Sequence, residues 1–149
     1  MEPHAQNWPM RAVKRLLLAV DDSDQSARAV AVARELAASG GFEVLVLHVR
    51  DKQVCCKGPA WETPMECTPD ELVAEVVSSL RGAGVEARAE IRSSVSRGEA
   101  GEILSSADEF GADLIVAGWR RRVSFPIILE KSTGQKIADR AQRPLVLVP

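Results

Sequence analysis

The residues best suited to ligand chemistry lie in the stretch 112–134. Within it, the apolar run from Leu114 to Ala117 predicts a buried strand, which Gly118 ends. Ser132 is a typical N-cap residue with Gln135 three positions later, so the spacing predicts a helix that begins with a capping box. A strand end that faces a helix N-terminus brings unpaired N–H groups and the positive end of the helix dipole together. We therefore expect an anion site here.

Groups for catalysis are sparse elsewhere. The two histidines are His4 and His48, and a histidine within an apolar strand is more often a packed core residue than a base. The run 131–133, Lys-Ser-Thr, is similar to the end of a phosphate-binding P-loop, but the five residues before it contain no glycine. Asp21 and Asp22 are consecutive at a strand end, where two carboxylates do not naturally point at one reacting atom. The sequence therefore favours a protein that is not an enzyme.

The composition predicts one domain with an aliphatic core. The chain has 149 residues, of which 46% are hydrophobic and 4% aromatic. We expect a flexible N-terminal tail at 1–13 and a single domain at 14–149. The net charge of −2 and the absence of a basic stripe argue against nucleic acid as a partner. No apolar run reaches the roughly 18–20 residues that span a bilayer, and the tail lacks a signal peptide's apolar core. A cytoplasmic location away from the membrane is predicted.

The three cysteines, Cys55, Cys56 and Cys67, all lie in one segment. An odd number in so short a stretch is not a disulfide framework. A zinc site that also uses His48 is the alternative, but the spacing contains no CxxC pair, so we expect no metal. The segment 50–67 has no hydrophobic periodicity and contains glycine and prolines, which predicts a long surface loop.

Five apolar runs of strand length alternate with four patterns of helical spacing. The predicted strands are residues 15–20, 42–49, 85–92, 112–117 and 145–148. Ser23 is the predicted N-cap of the first helix, and Thr68 with Glu71 predicts a capping box at the start of the second. Ser96 with Glu99 predicts another capping box at the third. The stretch 119–131 is predicted to be a long loop.

Alternation of strands and helices predicts an open, doubly wound parallel sheet with helices on both faces. Only the strand at 85–92 alternates apolar and charged residues, so it belongs at an edge, whereas the continuous apolar strands belong inside. The order 3-2-1-4-5 satisfies both demands. It places strands one and four side by side at the topological switch point, where open α/β sheets bind ligands. Asp21 and Gly118 end these two strands and are expected to flank the crevice.

The fifth predicted strand is apolar throughout and occupies the other edge. An unprotected apolar edge invites pairing with another chain. We therefore predict a homodimer through this strand, with a cover by the chain's own N-terminal tail as the alternative. The predicted interface residues are Leu145, Val146, Leu147 and Val148.

The chain resembles the universal stress protein family over about residues 14–149. The resemblance rests on Leu-Leu-Leu-Ala-Val-Asp-Asp-Ser at 16–23, Val-Leu-His-Val at 46–49, Gly-Ala-Asp-Leu-Ile-Val-Ala-Gly at 111–118 and Arg-Pro-Leu-Val-Leu-Val at 143–148. It implies a 3-2-1-4-5 α/β fold, a role in the stress response, and a cytoplasmic dimer paired through the fifth strand. The implied fold and dimer agree with the patterning.

One branch of that family binds ATP through a loop of the form G-x(2)-G-x(9)-G-[ST]. On this chain the first glycine matches Gly118, but the resemblance places Arg121 and Lys131 at the second and third. Ser132 matches the final position, and Thr133 follows it. The resemblance also implies adenine and ribose contacts at three further positions, of which the second and third fit the pattern: Ala19, Asp21 and Val49.

The two substitutions bear directly on phosphate binding. Glycine lets the backbone approach phosphates closely, whereas arginine and lysine place side chains where that approach occurs. We therefore predict a dimeric stress-response or regulatory module without strong ATP binding. The alternative is a member that keeps ATP or another adenine nucleotide as its cofactor, with the cationic side chains attracting the phosphates.

Overall fold

A computed structural model describes residues 14–51, 68–94, 98–119, 122–124, 128–130 and 133–149. The predicted tail at 1–13 and the three cysteines lie outside these residues, as does the predicted loop beyond Asp51. The elements, in chain order, are β1 (Lys14–Ala19), α1 (Asp24–Gly40), β2 (Phe42–Asp51), α2 (Pro69–Gly82), β3 (Ala87–Ser94), α3 (Glu99–Phe110), β4 (Leu114–Gly118), β5 (Arg122–Ser124), β6 (Ile128–Glu130), α4 (Thr133–Arg140) and β7 (Leu145–Val148).

The main sheet has five parallel strands in the order β3-β2-β1-β4-β7. Since β7 is the fifth predicted strand, this confirms the predicted order and the doubly wound architecture. At the centre of the sheet, Leu18 of β1 lies level with Val46 of β2 and Val116 of β4. The prediction that 119–131 is a loop without secondary structure is wrong, because β5 and β6 pair as an antiparallel ribbon. Three-residue strands are too short to show a period in the sequence.

Burial on both faces explains the continuous apolar runs of the inner strands. Leu16, Leu17 and Leu18 are all fully buried. Because successive side chains of a strand point to opposite faces, Leu16 and Leu18 pack with α1 and α2, whereas Leu17 packs with α3 and with Ile137 of α4. Each fully buried leucine contributes roughly 1.5–3 kcal/mol. The two half-cores hold the strand ends, and therefore the crevice, in place.

Two of the three helix starts described here are as predicted. The Ser23 hydroxyl accepts the N–H of Ser26 at 3.1 Å at the start of α1. Thr68 and Glu71 form the reciprocal capping box of α2, with bonds of 3.3 and 3.2 Å. The capping box predicted from Ser96 and Glu99 is wrong, because α3 begins at Glu99 and its N-cap is Gly98, which has no side chain to cap.

The edge position of β3 is confirmed, but its bounds lie two residues later than the predicted 85–92. Val85 is buried, and its N–H donates to the carbonyl of Leu80 at 3.0 Å. It therefore closes the turn after α2 and precedes the strand. The alternating pattern in the sequence began in this turn, which explains the shift.

Candidate functional site

A cleft lies at the carboxyl ends of β1 and β4, the predicted switch point. Its volume is about 90 Å³, well below the roughly 300–1,000 Å³ of pockets that bury a drug-sized ligand. The lining combines apolar side chains with a few hydroxyls and carboxylates. These residues are Ala19, Val20, Asp21, Ser26, Leu47, Val49, Glu99, Ile103, Ala117, Gly118, Thr133, Gly134 and Ile137.

Asp21 is held by the turn that starts α1. Its Oδ1 accepts the N–H of Ser23 at 2.8 Å and also the Ser23 hydroxyl. Its own N–H donates at 2.9 Å to the hydroxyl of Ser26, which is buried. The carboxylate therefore organises the entry to the helix and is placed at the cleft by the same bonds. Its role in the turn holds whether or not a ligand binds.

Gly118 is required by packing. A Cβ at this position would lie 2.9 Å from the backbone carbon of Gln25 and 3.0 Å from the nitrogen of Ser26. Real Cβ atoms do not approach backbone so closely, and α1 would have to move to admit one. The backbone of Gly118 is not among those with positive φ. The first turn of α1 crossing β4 is thus a sufficient reason for glycine here.

Glu99 reaches the cleft from the first turn of α3. The hydroxyl of Thr133, the first residue of α4, donates to its Oε2 at 3.0 Å. Both residues are half-buried. The bond joins the starts of α3 and α4 at one side of the cleft. From the sequence, Glu99 was predicted only as part of a helix cap. The start of a helix that follows a parallel strand indicates the edge where ligands bind, but not which residue there enters the cleft.

Five of the eight sequence-predicted site residues line this cleft, namely Ala19, Asp21, Val49, Gly118 and Thr133. The other three, Arg121, Lys131 and Ser132, lie outside the described residues. The predicted capping of α4 by Ser132 and the cationic character of the loop therefore stay predictions.

The charge of the described cleft differs from that expected at an anion site. Asp21 and Glu99 bring two carboxylates, and the lining residues that the structure describes include no lysine, arginine or histidine. An anion would meet like charges without a compensating cation from this part of the chain. The described walls instead suit an uncharged or weakly charged group.

His48 has the packing role that the sequence favoured. It is half-buried, and its Nδ1 lies 2.8 Å from the carbonyl oxygen of Val20, so the ring N–H donates there. Across the described residues no three His, Cys, Asp or Glu side chains are grouped to hold a metal ion. None of the helices described is long and apolar enough to cross a membrane.

A five-stranded parallel sheet in this order, with a cleft at its switch point, defines a Rossmann-like, doubly wound α/β protein. The model of the universal stress protein family matches residues 12–149. The chain therefore belongs to the universal stress protein family, as its sequence resemblance indicated.

Individual proteins are similar to this chain over most of its length. Universal stress protein YxiE of Bacillus subtilis (strain 168) is 27% identical over 146 residues, covering 90% of this chain and 97% of the relative. The universal stress protein from Archaeoglobus fulgidus in complex with dAMP has a TM-score of 0.63 at 24% identity, covering 92% of this chain and 98% of its own. A universal stress protein in complex with cAMP has a TM-score of 0.65 at 21% identity, covering 93% and 99%.

Proposed function

We propose that this universal stress protein is a homodimeric regulatory module of the stress response that has no catalytic activity and does not bind ATP strongly. The observation that carries the proposal is the charge of the cleft, which Asp21 and Glu99 line and to which the described residues contribute no cation. The small volume of the cleft, about 90 Å³, points the same way. The sequence adds bulky side chains at Arg121 and Lys131, where an ATP-binding relative has glycine.

Isothermal titration calorimetry of the wild-type protein with MgATP tests the absence of strong ATP binding. We expect no saturable heat and no rise in melting temperature at about 5 mM nucleotide, a concentration at which a ligand with a Kd near 50 μM stabilises a protein by about 2.7 kcal/mol. A saturable isotherm with a micromolar Kd contradicts the proposal.

A second candidate function is the binding of an adenine nucleotide. It is favoured by the convergence of Ala19, Asp21, Val49, Gly118 and Thr133 on one cleft. The solved relatives with cAMP and dAMP support it. Under this alternative, a nucleotide raises the melting temperature and Asp21→Ala removes that rise. Because Asp21 also starts α1, the variant lowers the melting temperature of the free protein, so the ligand-induced shift is the quantity to compare. Asp22→Ala is the matched control.

The proposed dimer uses the outer edge of β7. Its residues Leu145, Val146, Leu147 and Val148 are apolar and half-buried in the single chain. No strand among the described residues pairs with that edge. Sedimentation equilibrium of the wild-type protein is expected to give twice the chain mass. The cytoplasmic location predicted from the sequence stays a prediction.

A further inference from the structure

Glu99 occupies a position from which one carboxylate can decide which ligands enter the cleft. It stands at the start of α3, lines the ligand space, and is fixed by the hydroxyl of Thr133 at 3.0 Å. The proton of that hydroxyl is committed to the carboxylate, so in this arrangement Thr133 does not donate it to a phosphate. Thr133, whose hydroxyl is able to donate to an anion, instead donates to Glu99 and orients its negative charge.

A second acidic residue of the same cleft strengthens the effect. Asp21 places a second carboxylate at the carboxyl end of β1. The same cleft is also lined by apolar residues, among them Val49, Ile103 and Ile137. Such walls accept a flat, uncharged base, because apolar contact needs no countercharge. A triphosphate brings several negative charges toward both carboxylates, whereas a nucleoside brings none.

We propose that Glu99 sets the charge selectivity of this cleft, so that a neutral or singly charged adenine compound is preferred over a nucleoside triphosphate. The proposal rests on the second candidate function, in which the cleft holds an adenine ligand. It goes further by assigning the ligand's charge class and the residue that enforces it.

A purely structural role is the competing explanation. The N-cap of α3 is Gly98, which forms no side-chain cap, and a carboxylate in the first turn compensates by interacting with the helix dipole. Glu99 also ties α3 to α4 through Thr133. A structural role predicts that removing the charge changes stability but leaves the preference among ligands untouched. Ligand preference therefore separates the two explanations.

The experiment measures the affinities of adenosine, AMP and magnesium-free ATP for the wild type and Glu99→Gln by calorimetry. Glutamine keeps an oxygen that accepts the Thr133 hydroxyl but removes the charge. The affinity of ATP relative to adenosine is expected to rise about tenfold, the effect of removing one like charge at roughly 6 Å where the effective dielectric constant is about 40. Adenosine affinity itself is expected to change less than AMP affinity, and AMP less than ATP.

Glu102→Gln is the matched control. Glu102 is a carboxylate of the same first turn of α3, but it pairs with Arg92 at 3.6 Å and does not line the cleft. Its substitution is expected to leave the ratio of ATP to adenosine affinity unchanged. An equal rise in both variants would assign the effect to the net charge of the protein and overturn the proposal.

A measurement on the wild type keeps the test independent of any variant's folding. If carboxylates dominate the cleft, raising the salt from about 50 mM to about 500 mM screens their repulsion and raises the affinity of ATP relative to adenosine. If cations dominate, the same change lowers it, and the proposal is wrong.

The remaining outcomes are also decisive. An unchanged ratio in a folded Glu99→Gln protein, or no binding of any of the three compounds to either protein, overturns the proposal. Failure of the proposed function looks different, because there the wild type binds MgATP tightly. Even in that case, the change in the ratio of ATP to adenosine affinity on Glu99→Gln still tests whether Glu99 sets the selectivity.

Discussion

At the scale of single residues, Gly118 is where packing and ligand binding give opposite predictions. Gly118→Ala is expected to lower the free energy of unfolding by about 1–3 kcal/mol, because the added Cβ meets the backbone of Gln25 and Ser26. Urea denaturation measures this loss. If the glycine served only a phosphate, the variant would be as stable as the wild type and only nucleotide binding would fall.

Gly101→Ala is the matched control. Gly101 lies inside α3, and the nearest atom to its added Cβ is a guanidinium nitrogen of Arg140 at 4.0 Å, an ordinary contact. Alanine loses less conformational entropy than glycine in a helix, so this variant is expected to be more stable by about 0.5–1 kcal/mol. A lower free energy of unfolding for Gly118→Ala together with a higher one for Gly101→Ala would identify overpacking as the cause of the loss at position 118.

Two residues of the cleft could be predicted from the sequence because a local feature, the end of a strand, identifies them. Asp21 and Gly118 were predicted to flank the crevice because they end strands, and both line the cleft. Glu99 was not identified as a cleft residue, because its contact with Thr133 joins positions 34 residues apart. A hydrogen bond of that separation depends on how α3 and α4 pack on the sheet, and no local pattern encodes it.

At the scale of elements, the carboxyl end of α3 is held by an arginine from the segment before β7. Nη1 of Arg143 donates to the carbonyls of Ala107 and Ala112, both at 2.8 Å, and Nη2 pairs with Asp108. Ala107 lies in the last turn of α3, where its carbonyl also accepts the N–H groups of Gly111 and Ala112, and Ala112 lies between α3 and β4. The side chain therefore joins the end of α3 to the start of β7.

Arg143→Ala is expected to cost about 1–3 kcal/mol of folding free energy, because a charged donor to two carbonyls is lost. Arg143→Lys is expected to recover less than half, since one ammonium does not reproduce the guanidinium fork. Urea denaturation measures both variants, with Arg140→Ala as an exposed control expected to change stability by less than about 0.5 kcal/mol. Equal stability of lysine and arginine at position 143 would show that charge alone matters.

The edge strand β3 is joined to α3 by Arg92. Its guanidinium pairs with Glu90 at 2.5 Å, with Glu102 at 3.6 Å and with Glu109. The hydrogen bonds that Arg92 donates to the carboxylates of Glu109 and then Glu90 raise the pKa of Arg92 above its ordinary value, so it remains charged. One cation thus lies among three carboxylates and offsets part of their mutual repulsion.

Arg92→Met is expected to lower stability by about 1–2 kcal/mol at low salt, because the three carboxylates lose their shared partner. The loss is expected to shrink as salt rises, since screening weakens their repulsion. Chemical denaturation by urea at low and high sodium chloride measures it. Arg34→Met, at an exposed arginine 3.4 Å from the Ser79 hydroxyl, is the control without such a cluster. A deficit independent of salt would assign the effect to lost packing.

The success of element prediction followed the strength of the local signal. The starts of α1 and α2 were predicted correctly because Ser23 and Thr68 cap them within three residues. The start of α3 was wrong, since a capping pattern preceded a helix that Gly98 begins without a side-chain cap. The antiparallel ribbon of β5 and β6 was not predicted, because its two strands are too short to show a period in the sequence.

At the scale of the whole molecule, the strand order was predictable because burial leaves a pattern in each strand. Strands buried on both faces are continuously apolar, and the one alternating strand belongs at an edge. This interpretation is correct for β1, β2 and β4, which lie inside the sheet, and for β3, which lies at an edge. The pattern alone does not explain β7, which is continuously apolar but lies at the other edge of the sheet.

Among the described residues no strand pairs with the outer edge of β7, so the backbone groups along that edge are open to a second chain. Pro144 and Val148 direct their carbonyls toward β4, where Ile115 and Trp119 donate to them. Along a strand these directions alternate, so the intervening odd-numbered residues turn their N–H and C=O groups outward. A second copy of the chain can pair with these groups while the apolar side chains of β7 meet across the interface.

Val146→Lys tests this pairing. A lysine on each copy brings like charges and solvated ammonium groups to the edge, so sedimentation is expected to give a monomer. Because Val146 also packs against the α1 half-core, circular dichroism must show that the variant is folded. Leu147→Pro is a second variant that removes an outward N–H and leaves the pairing with β4 in place. Ala89→Lys, an exposed position on the opposite edge strand, is expected to remain a dimer. If both folded β7 variants also stay dimeric, the two copies associate through another surface.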